Sequence, residues 1–220
     1  MRTQTKAAAA VAALVVAVLV GVFAVAQVRG DGDGPVAVDT AAEETTLVRE
    51  DSHVLGREGT GDVTFVEFLD FECEACGAAY PIVEDLRAAY AGEVTFVLRY
   101  FPLPGHFNAE RAARAVESAA RQGQLEAMYR RMYETQATWG EAREPHDDLF
   151  RSFADELGLD LEQYDADYAS PEVAARVQRD VDDGLALGVQ GTPTFFVDGR
   201  PFQPETVDDF ATALDEALAG

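Results

Sequence analysis

Close to its N-terminus the chain has a long stretch that carries no charge. Ala7–Gln27 spans 21 residues, rich in Ala and Val on every face. A helix needs about 20 such residues to cross a hydrocarbon core. Arg2 and Lys6 precede it, and basic residues mark the cytoplasmic end of a span, so the body is expected outside. Ala24-Val25-Ala26 offers a small-x-small cleavage site, so a cleaved signal peptide is the competing reading, although signal cores usually run ~7–15 residues. Gly30–Glu44 follows, with Gly-Asp-Gly-Asp-Gly-Pro at its start, and reads as a flexible linker. Ordered structure is expected to begin near Leu47–Leu55.

Beyond the linker the pattern changes period. Asp62–Leu69 is β-branched and aromatic, as a buried strand is, and Glu67 alone interrupts it. Glu74–Tyr90 predicts a helix from Ile82, Val83, Leu86 and Tyr90, with Pro81 expected to kink it. Glu93–Phe101 returns to alternation: Val94, Phe96, Leu98 and Tyr100 against Thr95, Val97 and Arg99. A strand–helix–strand unit favours parallel pairing. Helical spacing then covers Ala109–Gln122, Leu125–Gln136, His146–Leu157, Leu161–Tyr168 and Glu172–Leu187. Thr194–Val197 reads as a short strand, Asp198-Gly199 as a hairpin turn, and Arg200–Phe202 as the return strand. Glu205–Ala219 predicts a closing helix with Val207, Phe210, Leu214 and Leu218 on its apolar face. The order is β-α-β, helices, β-β-α, with no internal period.

Composition supports a folded body: 48% of the 220 residues are hydrophobic and 26% charged. The formal net charge is −23, and Lys6 is the only lysine. A surface this acidic disfavours nucleic acid and anionic lipid. It fits solubility in a salty or acidic exterior.

The candidate chemistry sits between the first strand and the first helix. Cys73 and Cys76 are the only cysteines. Free backbone N–H groups and the dipole at a helix N-terminus stabilise a thiolate. Cys73, the outer cysteine, is the expected nucleophile, and Cys76, one turn inside, the resolving thiol. A mixed disulfide on Cys73 would be released by attack from Cys76. Metal binding competes, since two thiols can contribute to a zinc site, but such a site needs about four ligands. Only His53, His106 and His146 could help, and they are scattered.

Further features narrow this choice. Glu67 stands six residues before Cys73, and Pro81 five after Cys76. Gly191-Thr192-Pro193-Thr194 precedes the Phe-Phe-Val strand and its hairpin. With the helical segment between the halves, Leu47–Gly220 resembles the DsbA-like branch of the thioredoxin fold, the extracytoplasmic thiol–disulfide oxidoreductases. The resemblance implies an α/β thioredoxin-like fold with an inserted helical subdomain, here after an N-terminal transmembrane helix. It implies that Pro193 is a cis-proline facing the thiols and that Thr192 offers its backbone to substrate. Glu67 would be a buried acid serving Cys76, and Pro81 a structural kink. His106 and Trp139 are read as structural. The family's strongest oxidases carry Pro-His between the cysteines, where this chain has Glu74-Ala75. Ala75 cannot help hold a thiolate, and Glu72 and Glu74 add negative charge. A higher Cys73 pKa and a less oxidising pair than in the Pro-His type are therefore expected.

The expected organisation is a cytoplasmic end (1–6), an anchor or signal (7–28), a linker (29–46) and a thioredoxin-like domain (47–220) with its insertion at about 106–188. The expected function is disulfide exchange with exported cysteine-containing proteins, as an oxidase recycled by a membrane redox partner. A reductase or isomerase kept reduced by a membrane donor is the alternative, and a non-catalytic metal- or client-binding module is another. No cofactor is implied beyond the cysteine pair, and no nucleic acid. The expected location is the cell membrane, single-pass, with the domain on the extracytoplasmic side. Signal cleavage would instead make it secreted or periplasmic.

Overall fold

The computed structural model describes residues 46–220. The expected cytoplasmic end, the apolar segment and nearly all of the linker lie outside these residues. Among the described residues no helix is long and apolar enough to cross a membrane.

Five strands form one sheet in the order β1-β3-β2-β4-β5. They are β1 (His53–Val54), β2 (Thr64–Leu69), β3 (Thr95–Tyr100), β4 (Thr194–Val197) and β5 (Arg200–Phe202). β2 and β3 run parallel, joined by α1 (Glu74–Ala89), as the strand–helix–strand pattern predicts. The other pairings are antiparallel. The inserted helices are α2 (Ala109–Ala120), α3 (Leu125–Thr135), α4 (Asp147–Glu156), α5 (Leu161–Ala169) and α6 (Pro171–Ala186); α7 (Val207–Ala219) closes the chain. The helix α1 runs on through Pro81, which lies inside it.

Strand alternation divides the interior. Phe65, Leu69, Phe96, Leu98 and Tyr100 face a large core with α1, α3 and α7. Val66, Phe68, Val97, Phe101 and Phe196 face a smaller one, packed with Val181 and Leu187 of the α6 region and with Leu47 and Val48. Glu67 lies between Phe65 and Leu69 in parity, so it points into the larger core, on the side of α1. Gly184 lets α6 approach the second face closely. A Cβ there would lie 2.8 Å from the Phe101 ring and 3.0 Å from that of Phe68.

Two details depart from the sequence reading. On α7 only Phe210 and Leu214 are buried, whereas Val207 is 60% exposed and Leu218 lies at the margin. Its partners, the rings of Phe65, Phe195 and Phe202, converge on Phe210 in the first turn of the helix. The second departure is Arg99. It is fully buried, with Nε 2.7 Å from Asp180 Oδ1 and Nη2 paired to Asp183. Its Nη1 also donates to the carbonyls of Thr46 and Leu47, and Arg49 grips Asp183 at 2.6 Å.

Candidate active site

The strand β2 delivers the chain to the site. Asp70, just past its end, turns the backbone: its carbonyl accepts from Cys73 N at 3.1 Å, and its Oδ1 accepts from Glu72 N at 2.8 Å. Cys73 then caps α1 with an extended backbone. Its thiol therefore sits where the first helical N–H groups have no intrahelical partner. Cys73 is 7% exposed and Cys76 fully buried, and both are free thiols. Glu74 and Ala75 between them are exposed.

The two thiols are driven in opposite directions. Cys73 is lowered from 9.0 to about 5. Its hydrogen bond with Cys76 contributes most; burial opposes it, and Thr192 and the amides of Cys76 and Ala75 lower it further. Cys76 is pushed well up, first by burial, then by its bond to Cys73 and by the charge of Glu67. One sulfur is thus poised as a thiolate and the other kept as a thiol, which is the division of labour that exchange through a mixed disulfide requires.

Glu67 lies beneath the pair, 4% exposed. Its register neighbours on β3 and β4 are Leu98 and Phe195, so the adjacent strands offer it no cation. Burial, and then the charges of Cys73 and Glu84, raise its carboxyl to about 8. It can hold a proton near neutral pH and exchange it with a buried neighbour.

Opposite Cys73 stands the loop before β4. The Thr192-Pro193 peptide bond is cis. The Cys73 thiol donates to the Thr192 carbonyl, with Sγ···O at 3.4 Å. Thr194 Oγ1 closes the loop onto Gly191 O at 2.7 Å. Cys73, Cys76, Glu67, Thr192 and Pro193 therefore lie in one place, although more than a hundred residues separate the halves.

The structure also differs from the sequence reading at the flanking acid. Glu72 does not present its charge to solvent beside Cys73: it is 1% exposed and accepts from Asn108 N at 2.5 Å. Trp139 packs rather than lining a groove. It is fully buried edge-on to Phe150 at 5.0 Å, and its Nε1 donates to Thr135 Oγ1.

One residue escaped the sequence reading altogether. Gln136, in the short 3-10 turn after α3, donates from Nε2 to Phe71 O at 2.7 Å and Cys73 O at 2.9 Å. Its amide lies against Gly77, where a Cβ would come within 2.0 Å of Oε1. Phe71 is clasped beside it by Tyr133 and Tyr129, at 5.2 and 6.2 Å between ring centroids. The insertion thus holds the cysteine turn through a side-chain amide and an aromatic cluster. A glutamine at a helix end carries no motif, and only the absence of a Cβ at position 77 hinted at a close neighbour.

Among the described residues, no three of His, Cys, Asp and Glu are grouped to hold a metal ion. The thioredoxin family model matches residues 49–216. The chain belongs to the thioredoxin family. Within it, the structure of a thioredoxin-like oxidoreductase from Silicibacter pomeroyi is 30% identical, with a TM-score of 0.66 over 80% of this chain and 97% of that one. Oxidised BdbD from Bacillus subtilis shares the fold at 21% identity, with a TM-score of 0.67 over 77% and 94% of the two chains. Among curated proteins, the Na(+)/H(+) antiporter NhaA of Herminiimonas arsenicoxydans is 37% identical over 172 residues, 76% of this chain and 26% of its own length. The chain spans about a quarter of the length of the curated relatives it matches. It is a thioredoxin-fold domain similar to the DsbA-like enzymes, with a closely spaced cysteine pair at the head of α1.

Proposed function

We propose that this chain exchanges disulfides with cysteine-containing client proteins outside the cytoplasm. Cys73 is the attacking sulfur, Cys76 the resolving thiol and Glu67 the proton carrier for Cys76; Pro193 and the Thr192 backbone form the opposite wall, where a client strand docks. The observation that carries this reading is the split between two sulfurs one helical turn apart, one lowered to about 5 and the other raised. The apolar Ala7–Gln27 segment supports attachment to a membrane with the domain on its outer side.

Direction follows from how strongly the site favours the dithiol. Ala75 gives no cation within the loop, and Glu74 beside it adds an acid. Both features oppose a strongly oxidising disulfide and favour a reductase or isomerase, which a membrane donor keeps reduced. The lowered Cys73 thiol favours the second reading, an oxidase, which a membrane partner must reoxidise. Trapping separates the two. With Cys76→Ser, mixed disulfides on Cys73 persist and can be identified. In cells, capture of the Cys76→Ser chain by clients that depend on disulfide reshuffling, together with a wild-type pair recovered mainly as dithiol, supports the isomerase or reductase. A wild-type pair recovered mainly as disulfide supports the oxidase. An absence of any mixed disulfide overturns the exchange function itself.

A further inference from the structure

The turn that carries Cys73 is rich in acid. Asp70, Glu72 and Glu74 fall within three residues of it in sequence, and Glu67 lies below. A thiolate formed there meets like charge, which disfavours it. The Cys-x-x-Cys loop holds no basic residue. The segment after β3 brings one to this turn, where His106 Nδ1 lies 2.6 Å from Asp70 Oδ2.

His106 is built into place. Its own N–H donates to Leu103 O at 3.0 Å, and Leu103 N donates to the same Asp70 carboxylate at 2.9 Å. Asp70 is 2% exposed and also holds Glu72 N, so it ties the histidine segment rigidly to the cysteine turn. The His106 side chain is 24% exposed, open enough to exchange protons with water. The charged groups that bear on the ring are Asp70, Glu72 and Cys73; Glu141 acts on Glu72 from the insertion. Burial opposes the imidazolium, but the bond and charge of Asp70, with Glu72 and Cys73, outweigh it and raise His106 above its usual value.

We propose that His106, held by Asp70, is the positioning residue that serves as counter-ion to the cysteine turn, so that reduction of the disulfide is coupled to protonation of its ring. Two glutathione thiols reduce the Cys73–Cys76 bond to a Cys73 thiolate and a Cys76 thiol, and form one glutathione disulfide. Of the two protons that glutathione brings, one goes to Cys76. The other goes to His106 when its ring is neutral, and to water when it is already charged. The thiolate therefore strengthens His106 as a base, and a charged His106 stabilises the thiolate by the same amount.

This inference rests on the pair cycling between dithiol and disulfide. The test is a histidine NMR titration of the full chain in both redox states, with the thiolate absorbance of Cys73 and glutathione equilibration measured alongside. His106 is expected to titrate at a higher pH in the dithiol than in the disulfide. His106→Gln is expected to raise the Cys73 pKa by about one unit, the low end for loss of a nearby opposite charge. The glutathione equilibrium then shifts about tenfold toward the Cys73–Cys76 disulfide, a potential lower by ~30 mV for this two-electron couple. Asp70→Asn removes the charge beside the ring, with its amide NH2 set against one of the two backbone N–H groups that Asp70 accepts, and in a folded chain is expected to move the His106 titration to lower pH. Equal His106 titrations in the two redox states overturn the inference, and so does an unchanged Cys73 titration in a folded His106→Gln chain. If His106→Gln does not fold, the wild-type comparison decides alone. A pair that never equilibrates with glutathione overturns the exchange reading as well, which sets that failure apart.

Discussion

Glu67, the proton carrier proposed above, costs the fold stability. In the unfolded chain its carboxyl titrates near the usual 4.5, and in the fold near 8. Between those values the folded chain keeps a proton that the unfolded chain has released, so stability falls as pH rises through that interval. Glu67→Gln removes the titration. The variant is expected to match the wild type below about pH 4 and to exceed its stability by roughly 2–4 kcal/mol above pH 8. Urea denaturation across pH checks this, and a gap that is independent of pH contradicts it. The same substitution is expected to slow release of mixed disulfides by about 10²-fold, the lower range for loss of a positioned acid–base group. Quenched-flow release kinetics measure that effect. Glu67 was legible in the sequence because a lone acid in an apolar strand needs a reason. His106 was not: its partner Asp70 lies 36 residues away, and no spacing rule joins a strand end to a distant loop.

Between elements, the contact between α1 and the insertion turns on Gly77 and Gln136. The Cβ of an alanine at position 77 would displace the Gln136 amide, which is the free end of a flexible side chain. What is lost is then its two hydrogen bonds, each worth about 1 kcal/mol. In a Gln136→Ala background nothing occupies that space, and alanine gains about 1 kcal/mol of helix propensity over glycine. Gly77→Ala is therefore expected to destabilise the wild type and to stabilise the Gln136→Ala chain. A double-mutant cycle by thermal unfolding tests the change of sign, and additive effects contradict the contact. The helices themselves were readable from their period, and the observed α3 and α6 end within two residues of the expected limits. The strand β1 was not readable. Two residues cannot show an alternation, and His53–Val54 are a strand only because β3 pairs with them.

Across the whole domain, the buried cluster of Arg99, Asp180 and Asp183 joins β3, α6 and the start of the described chain. Alternation placed Arg99 on the second face of the sheet but could not name the helix that answers its charge. Removing one partner of such a pair leaves an uncompensated charge in the interior, which typically costs about 3–5 kcal/mol. Asp180→Ala is expected to lose that much by chemical denaturation, with Arg99 left fully buried; a loss under 1 kcal/mol contradicts this account. Leu47 and Val48 pack against the second face, whereas Cys73 and Cys76 belong to the core on the first.

The grip of the Arg99 guanidinium on the Thr46 and Leu47 carbonyls has a mechanical consequence. A pull transmitted along the backbone into residue 46 arrives first at a buried cation in the middle of the sheet. It is spread from there through β3 and the carboxylates of α6. Such a pull loads first the face of the sheet opposite the core that holds Cys73 and Cys76.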